Sequence, residues 1–393
     1  MADHFVGNLI RRVYYSKQSK AFEKSYKELI ETTASVNLSG ILENACECEL
    51  LITNSNGGGT AQYTKAYKSN SKALIVLKFL NNPYLRKRTS ENEGKYEISQ
   101  GDKKKIISAE DLGRVFAERY NRITVNTLVE CPDYIRIIKG IIENKKANPD
   151  TFICALVHDY YLVCPNYNLF DGDNYCEMQC EKCDVNLSVC GNRILIEEWR
   201  GHFGALLDVC QEIRCFSESS KRIILEAYRD IKEELITVIP HDISYIPFKR
   251  IEGIESLDFH LGIVGDCMGS PKGKYLVKEL IKKYGNKIPI TLIGSDFLHF
   301  RVVRKKVKYL GPYKRDDLEE IIRNRKVSCV LFPSLCPETF SFLISELMAM
   351  DIPIICFPYG AQEEKVSQYK RGSICQNKDA LWDFINERIK KQE

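Results

Sequence analysis

The sequence predicts an α/β chain of two doubly wound, Rossmann-like domains behind a helical amino-terminal extension, and three observations carry that reading. Short apolar runs alternate with stretches of helical periodicity, the pattern of parallel strands covered on both faces by crossover helices. The alternation comes in two series, separated by a looser stretch over residues 244–257. The length, 393 residues of which 44% are hydrophobic and 28% charged, suits two domains with cores of their own.

Residues 1–45 lack strand signals, and apolar side chains such as Phe22, Tyr26, Leu29 and Ile30 fall at helical spacing. Basic residues, among them Arg11, Arg12, Lys17 and Lys20, stand beside Leu9, Ile10, Val13 and Tyr14. Residues 5–30 therefore read either as a packed helix with a solvated face, the plainer reading, or as a peripheral membrane contact. Residues 46–245 form the first domain, with strands predicted at 50–53, 73–79, 123–129, 152–157, 213–216 and 236–239. Within it, the polar stretch 82–105 reads as an exposed excursion. Residues 246–378 form the second domain. Its strands are predicted at 261–264, 288–293, 307–310, 329–332 and 353–357, and its helices at 274–284, 316–323 and 338–350. A last helix occupies residues 379–393.

Lysine and arginine number 57 against 53 aspartates and glutamates, a net charge of +4. That balance, without a basic stripe, argues against a nucleic-acid partner. No stretch approaches the roughly 18 apolar residues of a membrane span, and the polar start is no secretory signal, so the chain reads as cytoplasmic, with peripheral contact at the inner membrane face as an option. The 16 cysteines are spread over a long chain, which favours reduced thiols over disulfides.

The most informative segment runs Phe332-Pro-Ser-Leu-Cys-Pro-Glu338-Thr-Phe-Ser-Phe-Leu-Ile-Ser-Glu346-Leu-Met-Ala-Met-Asp-Ile-Pro353. A strand ending at Phe332 and a helix opened by Glu338 would set Glu338 and Glu346 about 12 Å apart, within about 80° of one face. That separation can bridge a diphosphate. The N–H groups of Thr339, Phe340 and Ser341 would point at phosphate oxygens, Glu346 would accept from a ribose diol, and Glu338 would meet the hydroxyls of a sugar. The plain alternative is a solvated face of an amphipathic helix.

With Phe-Pro-Ser before it and Met-Ala-x-x-x-Pro after it, this Glu-x7-Glu helix resembles the donor-binding signature of group 1 (family 4) retaining glycosyltransferases of the GT-B fold. The likeness extends from about residue 49 to the end. It implies two Rossmann-like domains facing across a cleft, with Glu338 on the donor sugar and Glu346 on the nucleotide ribose; Asp351 stands where the family usually has glycine. The stretch Leu261-Gly-Ile-Val-Gly265-Asp266-Cys-Met-Gly-Ser-Pro-Lys272-Gly273 resembles the family's first donor-domain strand and loop. The resemblance places Gly265 and Lys272 at the diphosphate. A lysine there would neutralise charge on the departing nucleotide, so that no catalytic metal is expected; a solvated surface lysine is the plain alternative. Asp266 replaces an arginine of many relatives. Gly294 and Gly311-Pro312-Tyr313 resemble later loops, with Tyr313 near the base.

In the first domain, Gly57, Gly58 and Gly59 follow a strand and precede a helix, where glycines let N–H groups approach a phosphate. They resemble the family's amino-terminal loop beside donor and acceptor; a tight turn is the alternative. His158 and Asp159 follow the strand at 152–157, and a histidine at the carboxyl end of such a strand faces the ligand crevice of a doubly wound domain. Such pairs recur in the family close to the reacting sugar, which makes His158 the candidate contact, with Asp159 orienting it or packing below. A satisfied core histidine is the competing reading. In the insertion 164–190, Cys164, Cys176, Cys180 and Cys183 would close a tetrahedral structural zinc site, or remain free thiols. The spacing Cys-x3-Cys-x2-Cys also occurs in radical iron–sulfur enzymes, a fold the two-domain pattern argues against.

The expected function is retaining transfer of a sugar from a nucleotide-diphosphate sugar to a hydroxyl of a glycan, lipid-linked or protein acceptor, in envelope polysaccharide or glycoconjugate synthesis. The alternative is a catalytically silent GT-B protein that partners or chaperones another glycosyltransferase.

Overall fold

In the computed structural model the apolar runs of both series become strands, buried along most of their length as parallel strands between helical layers must be. The structure describes residues 24, 27–54, 59–70, 73–80, 94–180, 188–189, 192–265 and 267–392. These divide into two units, the first comprising residues 1–167, 186–214 and 225–237, the second residues 168–185, 215–224 and 238–393.

The first unit carries β1 (Glu49–Asn54), β2 (Leu74–Phe79), β3 (Lys95–Gln100), β4 (Lys103–Ser108), β5 (Arg122–Val125), β6 (Phe152–Leu156), the short ribbon β7 (Ser188–Val189) and β8 (Asn192–Arg193), then β9 (Glu212–Cys215) and β10 (Ile236–Val238). Its main sheet has the order β10-β9-β6-β5-β1-β2-β3-β4. From β9 to β2 the neighbours run parallel, with Leu50 opposite Ile75 on one side and Ile123 on the other. Leu50, Leu51, Ile52, Ile75 and Leu77 are fully buried. Trp199, on helix Ile196–Leu207, anchors the helical layer: its indole N–H donates to Tyr161 O at 2.7 Å, and its ring packs on Tyr134 and Phe203.

Residues 82–105 are not simply an exposed excursion. Their second half is β3 and the start of β4, an antiparallel hairpin added beside β2. Tyr96 and Ile98 are fully buried, and Glu97 pairs with Lys78 at 2.9 Å. Lysines and glutamate at alternate positions mask the apolar signal, while residues 81–93 lie outside the described residues. The strand expected at 123–129 stops at Val125, because Thr127 turns its hydroxyl onto the N–H of Val129 at 3.1 Å and ends the ladder.

The second unit carries β11 (Leu261–Val264), β12 (Ile290–Ile293), β13 (Val307–Tyr309), β14 (Cys329–Leu331), β15 (Ile354–Cys356) and β16 (Gly372–Ile374). All are parallel, in the order β13-β12-β11-β14-β15-β16, so the winding reverses between β11 and β14. Helix Lys274–Tyr284 occupies the expected span and buries Leu276, Val277, Leu280 and Ile281 on one face of the sheet, with Trp382 and Ile385 of helix Lys378–Lys390. On the other face lie Ile344 and Leu347 of helix Phe342–Ala349 and Leu318 and Ile322 of helix Leu318–Arg325. Among the described residues no helix is long and apolar enough to cross a membrane.

Candidate functional site

A doubly wound sheet offers its ligand crevice beyond the carboxyl ends of the strands where the winding reverses, here beyond β11 and β14. The loop after β11 leaves through Gly265, at φ 96°, and reaches Lys272 and Gly273. Gly273 has φ 81°, and a Cβ there would lie 2.1 Å from the carbonyl oxygen of Pro333. Only glycine lets this turn press against the backbone that follows β14.

That following segment departs from the expected helix. Glu338 does not open it: the helix begins at Phe342, after Ser341 in a left-handed conformation at φ 60°. Glu338 instead forms a single β-bridge with Gly360. Its N–H donates to Gln362 Oε1 at 2.9 Å, its carbonyl accepts from the N–H of Ala361 at 2.9 Å, and the fully buried Gln362 donates from Nε2 to Cys336 O at 2.8 Å. Residues 336–338 thus take their hydrogen bonds from a segment some two dozen residues away, which a local reading of helical spacing misses. The helix's unsatisfied N–H groups belong to the turn starting at Phe342, rather than to Thr339, Phe340 and Ser341.

The side chain of Glu338 nonetheless meets Lys272. Its Oε1 accepts from Lys272 Nζ at 2.5 Å and from Ser334 Oγ at 3.0 Å, so two residues chosen 66 positions apart share one contact. Glu346 lies on the helix, only 5% exposed, and forms an ion pair with Arg315. Burial pushes the Glu346 carboxyl above the usual carboxylate range, while the charge and hydrogen bond of Arg315 pull against it. Arg315 stands in a 3-10 turn before helix Leu318–Arg325; its guanidinium sits 4.9 Å from the Tyr245 ring centroid and donates from Nη2 to the Tyr245 hydroxyl at 3.3 Å. Tyr313 belongs to the same neighbourhood: burial, with Glu346 adding to it and Arg315 opposing, pushes its phenol up to about 12.

A second group braces the start of the helix. Lys365, on helix Gly360–Ser367, donates to Ser345 Oγ at 2.7 Å and Ser341 O at 3.3 Å, and its Nζ lies 3.2 Å from the Phe340 ring centroid. Burial lowers its ammonium to about 7. His241 stacks on Phe216 at 3.9 Å and touches Phe340 and Phe342 at 4.8 Å. Burial, with the charge of Lys365, lowers its imidazolium to about 4. Sequence reasoning missed Arg315, Lys365 and His241. Each carries an ordinary surface residue type, and only contacts across 20 to 31 positions, or about a hundred for His241, give it a role.

In the first unit His158 follows β6, its ring edge-on to Tyr63 at 4.6 Å. Asp159 is half-buried and accepts from Thr127 Oγ1 at 2.7 Å and from the N–H of Tyr161 at 2.9 Å, so its carboxylate shapes the turn beneath the histidine. Burial raises it to about 6. Gly59 begins helix Gly59–Asn70, while Gly57, Gly58 and Asp266 lie outside the described residues. Cys164 is buried and Cys176 and Cys180 are half-buried; Cys183 and Cys190 lie outside the described residues. Among the described residues no group of three or more histidine, cysteine or acidic side chains is placed to hold a metal, so those three cysteines do not compose a zinc site by themselves.

Residues 224–393, which hold Lys272, Arg315, Glu338 and Glu346, match the sequence profile of the glycosyl transferases group 1. The fold of the whole chain is that of GT-B glycosyltransferases, two Rossmann-like units, and solved structures share it at low identity. Anabaena HepE in complex with UDP aligns with a TM-score of 0.52 and 13% identity over 88% of this chain and 91% of that one. The sucrose-phosphate synthase of Thermosynechococcus elongatus aligns with a TM-score of 0.54 and 14% identity over 87% and 89%. A glycosyltransferase from Rickettsia africae aligns at 0.51 and 13% over 88% of each chain. No curated protein matches the chain by sequence.

Proposed function

We propose that the protein transfers a sugar from a nucleotide-diphosphate sugar to a hydroxyl acceptor with retention of the anomeric configuration, the donor resting on the transferase domain. The observation that carries this is the Lys272–Glu338 contact, at 2.5 Å, beyond the two strands where the winding reverses. A donor diphosphate would take Lys272 as its cation, and the free N–H groups at the start of helix Phe342–Ala349 would add their partial positive charge. Glu338, released from that lysine, would accept from sugar hydroxyls. Glu346 would accept from the ribose through the carboxylate oxygen that Arg315 does not hold. HepE, of like fold, is described with UDP and with UDP-glucose, which supports a nucleotide sugar as donor.

The chemistry asks for charge stabilisation more than for a nucleophile. The acceptor oxygen bonds to the anomeric carbon on the face the diphosphate leaves, the carbon–oxygen bond to the diphosphate breaks, and the acceptor proton passes to the departing phosphate oxygen. Lys272 neutralises the charge that develops there. His158 is the first unit's candidate contact to donor or acceptor. The family resemblance extends the reading to glycan, lipid-linked or protein acceptors in envelope polysaccharide or glycoconjugate synthesis at the cytoplasmic face of the membrane.

The test is a thermal-shift and hydrolysis panel of nucleoside diphosphates and their sugars on the full chain, repeated with Lys272→Ala and Glu346→Ala. One donor should stabilise the wild type and be hydrolysed slowly. Each variant should lose at least about tenfold in donor affinity, the loss of one charge-assisted contact. An inverted anomer in the product would overturn retention. A chain that neither binds nor hydrolyses any donor would overturn the enzyme reading in favour of a silent partner of another transferase.

A further inference from the structure

Arg315 contacts no part of the donor in the reading above, yet it touches the residue on which the nucleoside half of that reading depends. It follows the Gly311-Pro312-Tyr313 loop beyond β13, and its guanidinium is committed on two sides: to Glu346 Oε1, and to Tyr245 through ring and hydroxyl. A third side is not. Its Nε is buried and meets no acceptor among the described residues. A buried donor without an acceptor costs stability, and native chains seldom keep one unless a water, ion or ligand satisfies it. Arginine is suited to such a place, because its planar fork holds a carboxylate with one edge while presenting another N–H in a fixed direction.

The pairing also fixes what Glu346 can do. A carboxyl so buried tends toward the neutral acid, which accepts poorly from a diol, unless a cation stands against it. Arg315 supplies that cation at Oε1, and among the described residues the Glu346 side chain has no other hydrogen bond, which leaves Oε2 for a ligand.

We propose that Arg315 is a nucleoside-binding residue of this site, its Nε–H donating to an oxygen of the bound nucleoside while its Nη2 holds Glu346 as the carboxylate that accepts from the ribose. The inference rests on the donor reading of Glu346. The oxygen belongs either to the ribose or to a carbonyl of the base. Both offer the same acceptor chemistry.

The experiment is calorimetric titration of the full chain with UDP, ADP and GDP, and then with the 2′-deoxy form of the tightest binder, for wild type, Arg315→Lys, Arg315→Gln and Glu346→Gln. Arg315→Lys keeps a charge beside Glu346 but loses the fixed Nε–H, and should weaken the tightest binder by about tenfold; Arg315→Gln, which also removes the charge, should weaken it by about a hundredfold. With a base carbonyl as acceptor, the lysine variant loses preference among the three nucleotides. With a ribose oxygen, it loses preference for the nucleotide over its deoxy form. Wild-type affinity in both arginine variants, with Glu346→Gln impaired, would overturn the role of Arg315 and leave the donor reading standing. Wild-type affinity in Glu346→Gln, or no binding by the wild type, would overturn both. Should Arg315→Gln fail to fold, the charge-preserving lysine variant decides the matter alone.

Discussion

In the carboxyl-terminal domain the carboxylates beyond the sheet, Glu338 and Glu346, each lie against a cation, whereas in the first unit Asp159, beyond β6, is half-buried with a hydroxyl and an amide for partners. The scaffolding differs in the same way. The domain brings its charges together by backbone approach, with Gly273 against Pro333 and Gly360 against Glu338, where a Cβ would come within 2.1 and 2.7 Å. The first unit relies on side chains, with Thr127 holding Asp159 and Asn126 bonded to Thr53 and Thr64. Its ion network, Arg122 and Arg214 with Glu49 and Glu212, sits instead on strand residues. On the proposed reading, a surface that takes a dianionic diphosphate needs cations it can lend, and paired cations can exchange one carboxylate for another anion; a surface that meets neutral hydroxyls needs no such store.

The two tryptophans fall one in each unit, Trp199 in the first and Trp382 in the second, so each unit can be followed separately once the other is changed to phenylalanine. The largest effect is expected from Gly273→Ala. A left-handed φ of 81° and a backbone oxygen in the way should cost on the order of 3 kcal/mol or more. Urea unfolding reported by Trp382 should show this, with Trp199 far less affected. An equal loss at both tryptophans would mean that the two units do not differ in how they are held.

Next comes Lys365→Met, read as stability against pH. The half-buried lysine titrates near 7 when folded and about 10.4 when unfolded, so between those values the unfolded chain holds the extra proton and stability rises with pH. The groups around it are His241, already neutral in that range, Glu364 on its own helix, and the uncharged Ser341 and Ser345. The variant should lack that rise in the Trp382 signal; a wild type flat from pH 7 to 10 would contradict the burial of this charge.

The smallest effect belongs to the first unit. Asp159 titrates near 6 when folded and about 3.9 when unfolded, so the folded chain holds the extra proton and stability falls as pH rises from about 4 to about 6. Asp159→Asn should remove that fall in the Trp199 signal while His158 keeps its place. An unchanged slope would shift the origin of that pH dependence elsewhere.

Much of this was legible from the chain. Parallel strands buried on both faces must be near-continuous apolar runs, and all the expected runs became strands within a few residues at each end. Helix Lys274–Tyr284 matched its expected span because its apolar face repeats cleanly and glycines flank it. The failures share a cause. Glu338 looked like the first residue of a helix until Gln362 took its N–H, β16 is too short and too polar to stand out, and Arg315 stands in a charged Lys-Arg-Asp-Asp run that carries no motif of its own. For each of these residues the deciding partner is remote in sequence, and local periodicity holds no record of it.

The hairpin of β3 and β4 has one more consequence. A sheet's last strand exposes unmet N–H and carbonyl groups that invite a strand from another molecule, and here that strand begins Lys103-Lys104-Lys105. Lys103 and Lys105 reach across to the carbonyls of Gly40 and Val36, so the same side chains that clasp the preceding helical segment also set a row of positive charge along the rim. Two copies approaching rim to rim would repel before they could pair, which guards a long, largely apolar sheet against aggregation.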